Sequence, residues 1–430
     1  MLSHMTAHVT PILTRQRLAN HARSNRRQTV DIALRLLATP SENPPGDTRG
    51  IAAEMLALLN EMPGVKAELH ASSDCIHNVV ARLKGGRSGP RLIFNGHLDT
   101  FPLSGKDEWG ASPAGALVGS RVYGLGISDM KGGLAASLFA LQNLAIARSS
   151  WAGEVVATFG GDEETMGRLG TQFLLDTVAE ARGDAVICAD AGSPRVLRVG
   201  EKGLIWLRLT AKGRSSHAAH VHRGDSAIDK LIAAIAKIAS LRDLAVKSPP
   251  EVLETIATAS PVSEALSGDG ESDVLRSVTV TFGTISGGRL PNLVSDSAEA
   301  TADIRLPFGV TVAEIKTLIQ SYVDSVDGVS VGYIQSYEPS WTSPESPIVQ
   351  AVASCTQEVM GVTPVVNMRV GASDSRLYRA TGHPTVVCGL TPNNMGAANE
   401  FVEAEELMCL GEVLTLAAFD FLNQEFVRPS

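Results

Sequence analysis

Four times in its first half this chain runs a short apolar, strand-like segment straight into a turn that carries carboxylates or a histidine. The turns are Phe94-Asn95-Gly96-His97-Leu98-Asp99-Thr100, Gly124-Leu125-Gly126-Ile127-Ser128-Asp129-Met130-Lys131-Gly132-Gly133, Gly160-Gly161-Asp162-Glu163-Glu164 and Ala189-Asp190-Ala191-Gly192. Side chains that leave the carboxyl ends of neighbouring parallel strands converge along one sheet edge, so the recurrence predicts an α/β scaffold with its chemistry at that edge. Taken singly, each turn has an ordinary structural explanation, such as a helix N-cap for Asp129 or a strand-end turn for His97 and Asp99. Together they bring one imidazole and several carboxylates, a donor set suited to a divalent metal.

A chain of 430 residues exceeds one usual core, which predicts two domains. Its 44% hydrophobic and 19% charged content excludes disorder, and no apolar run approaches the ~18–20 residues of a membrane span. A net charge of -9 argues against a nucleic-acid surface, where affinity comes from cations that neutralise phosphates. Cys75, Cys188, Cys355, Cys388 and Cys409 are scattered and odd in number, which points to a reducing, cytoplasmic setting. Residues 1–29 lack the apolar stretch and small-residue cleavage site of a secretory signal and read as a helix preceded by a loose tail.

Helical spacing over residues 30–62 is broken by Ser41-Glu42-Asn43-Pro44-Pro45-Gly46-Asp47, whose prolines forbid continuation. Strands are expected at 78–83, 91–94, 153–159 and 185–188, with helices at 132–147 and 169–181, making a largely parallel sheet. After Gly203 the pattern changes. Strands at 204–210, 277–284 and 297–304 alternate like half-exposed ones, and helices at 226–241 and 312–326 separate them, which is the order of a split, ferredoxin-like α+β unit. The expected organisation is a catalytic α/β domain over 1–203 and 327–430 with an α+β dimerisation or lid domain inserted over 204–326.

Adjacent like charges at Glu163-Glu164 repel unless a cation or a proton intervenes. Neighbours at a strand end also diverge, so one can bind a metal while the other carries a proton.

These motifs and the interrupted α/β pattern resemble the metallopeptidase and deacylase family that includes acetylornithine deacetylase, succinyl-diaminopimelate desuccinylase, aminoacylase and glutamate carboxypeptidase. The resemblance implies a first metal position held by His97, Asp129 and Asp190, and a second held by Asp129, Glu164 and a C-terminal histidine. It implies Glu163 as the base that activates water and Asp99 as the partner that orients His97. Ser215-Ser216-His217-Ala218 resembles a family motif whose histidine steadies negative charge in the active site of the partner subunit, implying a homodimer or larger homo-oligomer. Gly287-Gly288-Arg289-Leu290-Pro291-Asn292 and Asp303-Ile304-Arg305 resemble segments that bind a substrate carboxylate, and Gly371-Ala372-Ser373-Asp374-Ser375-Arg376 a loop near the substrate. Arg289, Asn292, Arg305 and Ser373 are the residues carried over as substrate-binding.

The departure lies downstream. Where relatives carry the last histidine, this chain has Gly396, with Asn393 and Asn394 nearby, and neutral amide oxygens are poor zinc ligands. One tightly held manganese, zinc or cobalt ion per chain is therefore expected, with the second site weak or absent. Hydrolysis of a carbon–nitrogen bond in a small carboxylate-bearing substrate follows, with no nucleic-acid or membrane partner. Within the family the chain is similar to divergent members that replace the amino group of 5-nitroanthranilate by hydroxyl, so the specific expectation is deamination of an activated aromatic amine to 5-nitrosalicylate and ammonia. The alternatives are an N-acyl amino acid deacylase or carboxypeptidase and, from another class, a degenerate non-catalytic binding protein.

Overall fold

Apolar runs buried on both faces build the central sheet. In the computed structural model, which describes residues 14–424, its strands run in the order Lys66–Ala71, His77–Lys84, Ala152–Gly160, Arg87–His97, Ala185–Cys188, Thr385–Val387 and Val196–Glu201. The four from Ala152–Gly160 to Thr385–Val387 are parallel. Val156, Ile93, Phe94, Val186 and Ile187 are fully buried in them, as parallel strands covered on both faces require. The flanks of this parallel core are antiparallel. Lys66–Ala71 and His77–Lys84 form a hairpin, and the second of these strands joins Ala152–Gly160 antiparallel, so the sheet is mixed.

Gly132–Ile146 is apolar nearly all round because it is enclosed by the helices Gln28–Leu37 and Ala404–Asn423. Its start lies hard against the end of a strand. A Cβ on Gly133 would sit 1.9 Å from the carbonyl oxygen of Ala189, so only glycine lets the Asp129 turn approach Asp190 this closely. A small antiparallel sheet of Ala116–Val118, Arg121–Tyr123 and Phe401–Glu403 ties the C-terminal segment to the same turn.

The chain divides into two units, one of Met1–Val199, Thr342–Val366 and Ser373–Ser430, the other of Gly200–Trp341 and Asn367–Ala372. The second carries a four-stranded antiparallel sheet in the order Thr279–Gly287, Ser297–Leu306, Gly203–Lys212, Val329–Tyr337. Ala227–Ala239 and Val312–Asp324 cover one face, burying Leu207, Leu209, Leu231, Ile304 and Ile315. Thr311 and Glu314 start the second helix with a capping box. The expected boundary at 326 is too early, because Val329–Tyr337 pairs with Gly203–Lys212 and completes this sheet. The helices Pro250–Ser267 and Glu271–Arg276 were not expected either. Pro261 inside the first blurs its helical signal.

Among the described residues no helix is long and apolar enough to cross a membrane. All five cysteines are free thiols. The loose tail expected before the first helix, Arg15–Asn25, falls on residues 1–13, outside the described residues.

Candidate active site

His97 closes the strand Arg87–His97 and is 2% exposed. Its Nδ1 lies 2.9 Å from the backbone carbonyl of Asp99. A carbonyl only accepts, so Nδ1 holds a proton and Nε2 is the atom turned toward the acids. Nε2 stands 3.0 Å from Asp129 Oδ1 and 3.9 Å from Asp190 Oδ1. Burial opposes charge on the ring, but the hydrogen bond to Asp129 and the negative charge of the surrounding carboxylates outweigh it and hold His97 well above 6.5. Among the described residues, ligand atoms of His97, Asp129 and Glu164 all lie within 4.8 Å of one another.

The Asp99 carboxylate does something other than hold the ring. Its Oδ1 is 3.6 Å from His97 Nδ1, beyond hydrogen-bond reach. Instead Oδ1 accepts from the backbone N–H of Glu163 at 3.1 Å and Oδ2 from that of Glu164 at 3.0 Å. The His97 ring is thus oriented by the backbone of Asp99, and the paired glutamates by its side chain. Asn43, which the sequence reading passed over, donates to Asp99 Oδ2 at 2.9 Å and more loosely to Asp162 Oδ1 and Thr165 Oγ1. Its only sequence signal was its place in the proline-rich turn.

Asp129 is not an N-cap. It lies within the turn Ile127–Lys131 in non-helical backbone, ahead of the helix. Glu400 holds that turn by accepting from the N–H groups of Gly126 and Ser128, both at 2.9 Å, and from the Ser128 hydroxyl at 2.6 Å.

Burial raises Glu163 well above 4.5. Asp374, Asp190 and Asp129 push it further, against the pull of His97. Burial likewise pushes Glu164 up to about 10. Glu164 Oε1 is buried with no hydrogen-bond partner among the described residues. A buried orphan carboxylate oxygen facing an imidazole and further carboxylates is a place that a divalent cation fits, because it supplies the charge and the bond the side chains lack.

Comparison with known proteins shows the family. Residues 93–420 match the family described as Peptidase family M20/M25/M40. The chain belongs to this family. It is 27% identical over 401 residues to succinyl-diaminopimelate desuccinylase of Parvibaculum lavamentivorans, covering 89% of this chain and 93% of that one. It is 28% identical over 341 residues to the enzyme of the same name from Rhodospirillum centenum, covering 77% and 81%. Among solved structures, the M20 family metallo-carboxypeptidase Sso-CP2 of Sulfolobus solfataricus superposes with a TM-score of 0.73 at 21% identity, over 91% of this chain and 99% of that one. Aminopeptidase PepT of Bacillus cereus superposes with a TM-score of 0.72 at 18% identity, over 93% and 99%. The protein is therefore a hydrolase of the M20 family with the fold of these structures.

The remaining sequence candidates fare unevenly in this M20 chain. Ser373 is fully buried, where its hydroxyl accepts from the N–H of Ser375 and its carbonyl from Arg376 at 2.6 Å, so it helps start the helix Ser375–Ala380. Asn393 donates to the carbonyls of Thr391 and Phe401, and Asn394 to that of Asn399, which engages both amide nitrogens within their own loop. In the inserted unit, Ala218 N–H donates to the Asn292 carbonyl at 2.9 Å and His217 bridges Leu293, bringing the His217 and Asn292 loops together. His217 Nδ1 accepts from Ala219 N–H, so Nε2 bears the ring proton and can donate. His217, Arg289 and Asn292 are exposed. Arg305 is already paired: its guanidinium grips Asp303 at 2.8 and 3.0 Å.

Proposed function

We propose that this M20 chain is a deacylase or carboxypeptidase that cleaves an amide bond in a small carboxylate-bearing substrate, an N-acyl amino acid or a short peptide. The observation that carries the reading is the Glu163-Glu164 turn, clamped by both oxygens of Asp99 beside the His97–Asp129 pair.

His97, Asp129 and Asp190 would hold one divalent ion, manganese, zinc or cobalt, with Glu164 available beside Asp129. Bound there, the ion supplies Lewis acidity to the scissile carbonyl and lowers the pKa of water. Glu163 takes the proton from the attacking water and returns it to the departing nitrogen, a role for which a buried carboxyl with an upward-shifted pKa is suited. Asp99 and Asn43 hold Glu163 in place, and Glu400 does the same for Asp129. In a dimer formed through the inserted unit, His217 of one subunit donates from Nε2 to the oxyanion developing in the other. Arg289 and Asn292, exposed and in register with the His217 loop, receive the substrate carboxylate; Arg305 is left to Asp303. The five free thiols fit a cytoplasmic setting.

The names of the relatives support the deacylase or carboxypeptidase reading over deamination of an aromatic amine, which rests on Gly396 in place of the last histidine and on the resemblance to divergent members. The test is to incubate the metal-loaded enzyme with N-succinyl and N-acetyl amino acids, dipeptides and 5-nitroanthranilate, measuring free amine and ammonia. Amine release from the acylated compounds is expected. Ammonia from 5-nitroanthranilate with no amide cleavage would overturn the proposal in favour of deamination.

A further inference from the structure

The acidic site occupies the carboxyl end of the central sheet. At the opposite end, where Ala152–Gly160 begins and His77–Lys84 finishes, lies a cleft of about 450 Å³ with the reverse charge. The two ends of a nine-residue strand such as Ala152–Gly160 are roughly 25 Å apart, so this cleft is separate from the catalytic groups.

Its walls are fixed by backbone packing. Gly85 and Gly86 donate to the carbonyls of Gly153 and Trp151 at 2.9 and 3.0 Å. Trp151 is fully buried and anchored through Nε1 to the Leu144 carbonyl at 2.9 Å. A Cβ on Gly85 would fall 2.5 Å from the Trp151 ring, and one on Gly64 would fall 2.4 Å from the Arg148 guanidinium. Glycine at both positions lets the turn Arg148–Ser150 close down on the strand ends, and it sets the guanidinium directly over the Gly64 backbone.

Four cations line the cleft: Lys66, Arg82, Lys84 and Arg148. Arg82 is neutralised by Glu154 at 3.0 Å and Glu180 at 2.7 Å, and Glu154 is further held by Arg91 at 2.8 Å. Lys66, Lys84 and Arg148 have no ion pair or side-chain hydrogen bond with any described residue. Lys66 also stands directly across the strand pair from Arg82, an arrangement that like charge disfavours. In a chain of net charge -9, three unpaired cations converging on one preformed concavity are not a solvated average of the surface. The volume lies in the range of small-molecule sites, and the charge asks for at least two negative charges on the occupant.

We propose that this cleft is a second ligand site, one that binds a small polyanion, a phosphate monoester or a dicarboxylate, apart from the hydrolytic centre. Arg148 offers two parallel N–H donors to its oxyanion, and Lys66 and Lys84 supply the remaining charge.

Calorimetric titration of the metal-loaded full chain with glycerol 2-phosphate and, separately, glutarate, at about 50 mM salt, tests this, with glycerol as the uncharged control. Saturable binding of at least one dianion is expected, weakened tenfold or more in the double variant Lys84→Ala/Arg148→Ala, whose amide hydrolysis is unchanged. These side chains are exposed, so the variant keeps the wild-type melting temperature. The arm that binds distinguishes phosphate from carboxylate ligands. Absence of saturable binding by both dianions, or binding that the double variant leaves intact, would overturn the assignment.

Discussion

The acidic edge of the larger unit and the candidate residues of the inserted unit are built on opposite terms. At the edge, His97, Asp99, Asp129 and Asp190 are at most 8% exposed, and each carboxylate is held by backbone donors or by another ionisable group. In the inserted unit, His217, Arg289 and Asn292 stand in water, while the better buried Arg305 is tied to its own neighbour, Asp303. Buried charge cannot be idle, since it must be neutralised, paired or protonated, and the upward shifts of Glu163 and Glu164 show the strain of leaving it otherwise. Exposed charge carries no such requirement, and its role depends on what docks against it. The contrast therefore predicts large, metal-linked effects at the edge and smaller ones, tied to oligomer or substrate, in the inserted unit.

The largest effect is expected at the base. Glu163→Gln should keep the bound ion and lower kcat by the ~10²–10⁴ of a lost general base. Elemental analysis alongside turnover checks both halves, and near-normal turnover would remove Glu163 from the chemistry.

An exposed residue can still match a buried one if it meets the reaction. His217→Ala should reduce kcat by about 10², the scale of one lost oxyanion donor, with little change in KM. Mixing it with Glu163→Gln should restore activity in hybrid dimers if His217 serves the other subunit. No recovery in such mixtures would confine it to its own chain.

Stability separates the regions next. Asp99→Ala strands two backbone N–H groups and the Asn43 amide, which should cost at least about 1–3 kcal/mol in urea unfolding. A wild-type midpoint would mean that the clamp is not needed to hold the glutamate turn.

The pH dependence follows from the same burial. Glu164 sits near 10 in the folded, metal-free protein and near its ordinary 4.5 when unfolded, so above 4.5 the folded state retains a proton that the unfolded chain has lost. The stability associated with that proton is present in full below about 4.5 and falls as pH rises toward 10. A divalent ion replaces the proton, so the rise in Tm on adding manganese or zinc should grow between about pH 6 and pH 9. A metal-induced shift that is flat or shrinks with pH would contradict this.

The smallest effect is expected at Arg305. Arg305→Gln should lower stability by no more than about 1 kcal/mol, as for a partly exposed ion pair, and leave KM within about twofold. A tenfold rise in KM would give Arg305 the substrate-binding role that its pairing with Asp303 argues against.

What the sequence by itself determined is the part that depends on short, local patterns. Apolar runs ending in acidic turns specified strands at 91–94, 153–159 and 185–188, which the structure lengthens to 87–97 and 152–160 in the first two cases, and with them which residues lie at the sheet edge, because a strand's direction dictates where its last side chains emerge. The alternating strands and intervening helices likewise announced an inserted unit. Tertiary structure decided what the local pattern leaves open. It gave the ring of His97 to the backbone of Asp99 and the side chain of Asp99 to the Glu163-Glu164 turn; it placed Asn43 and Glu400 behind the site from 56 residues before Asp99 and 271 residues after Asp129. It also paired Val329–Tyr337 across the inserted sheet and gathered the cations of the basic cleft from three separate segments. Apart from the His97 ring, which meets the backbone two residues on, each of these is a contact between residues far apart in the chain. Such contacts follow from packing and from the need to satisfy buried polar groups, neither of which has a signature in the spacing of neighbouring residues.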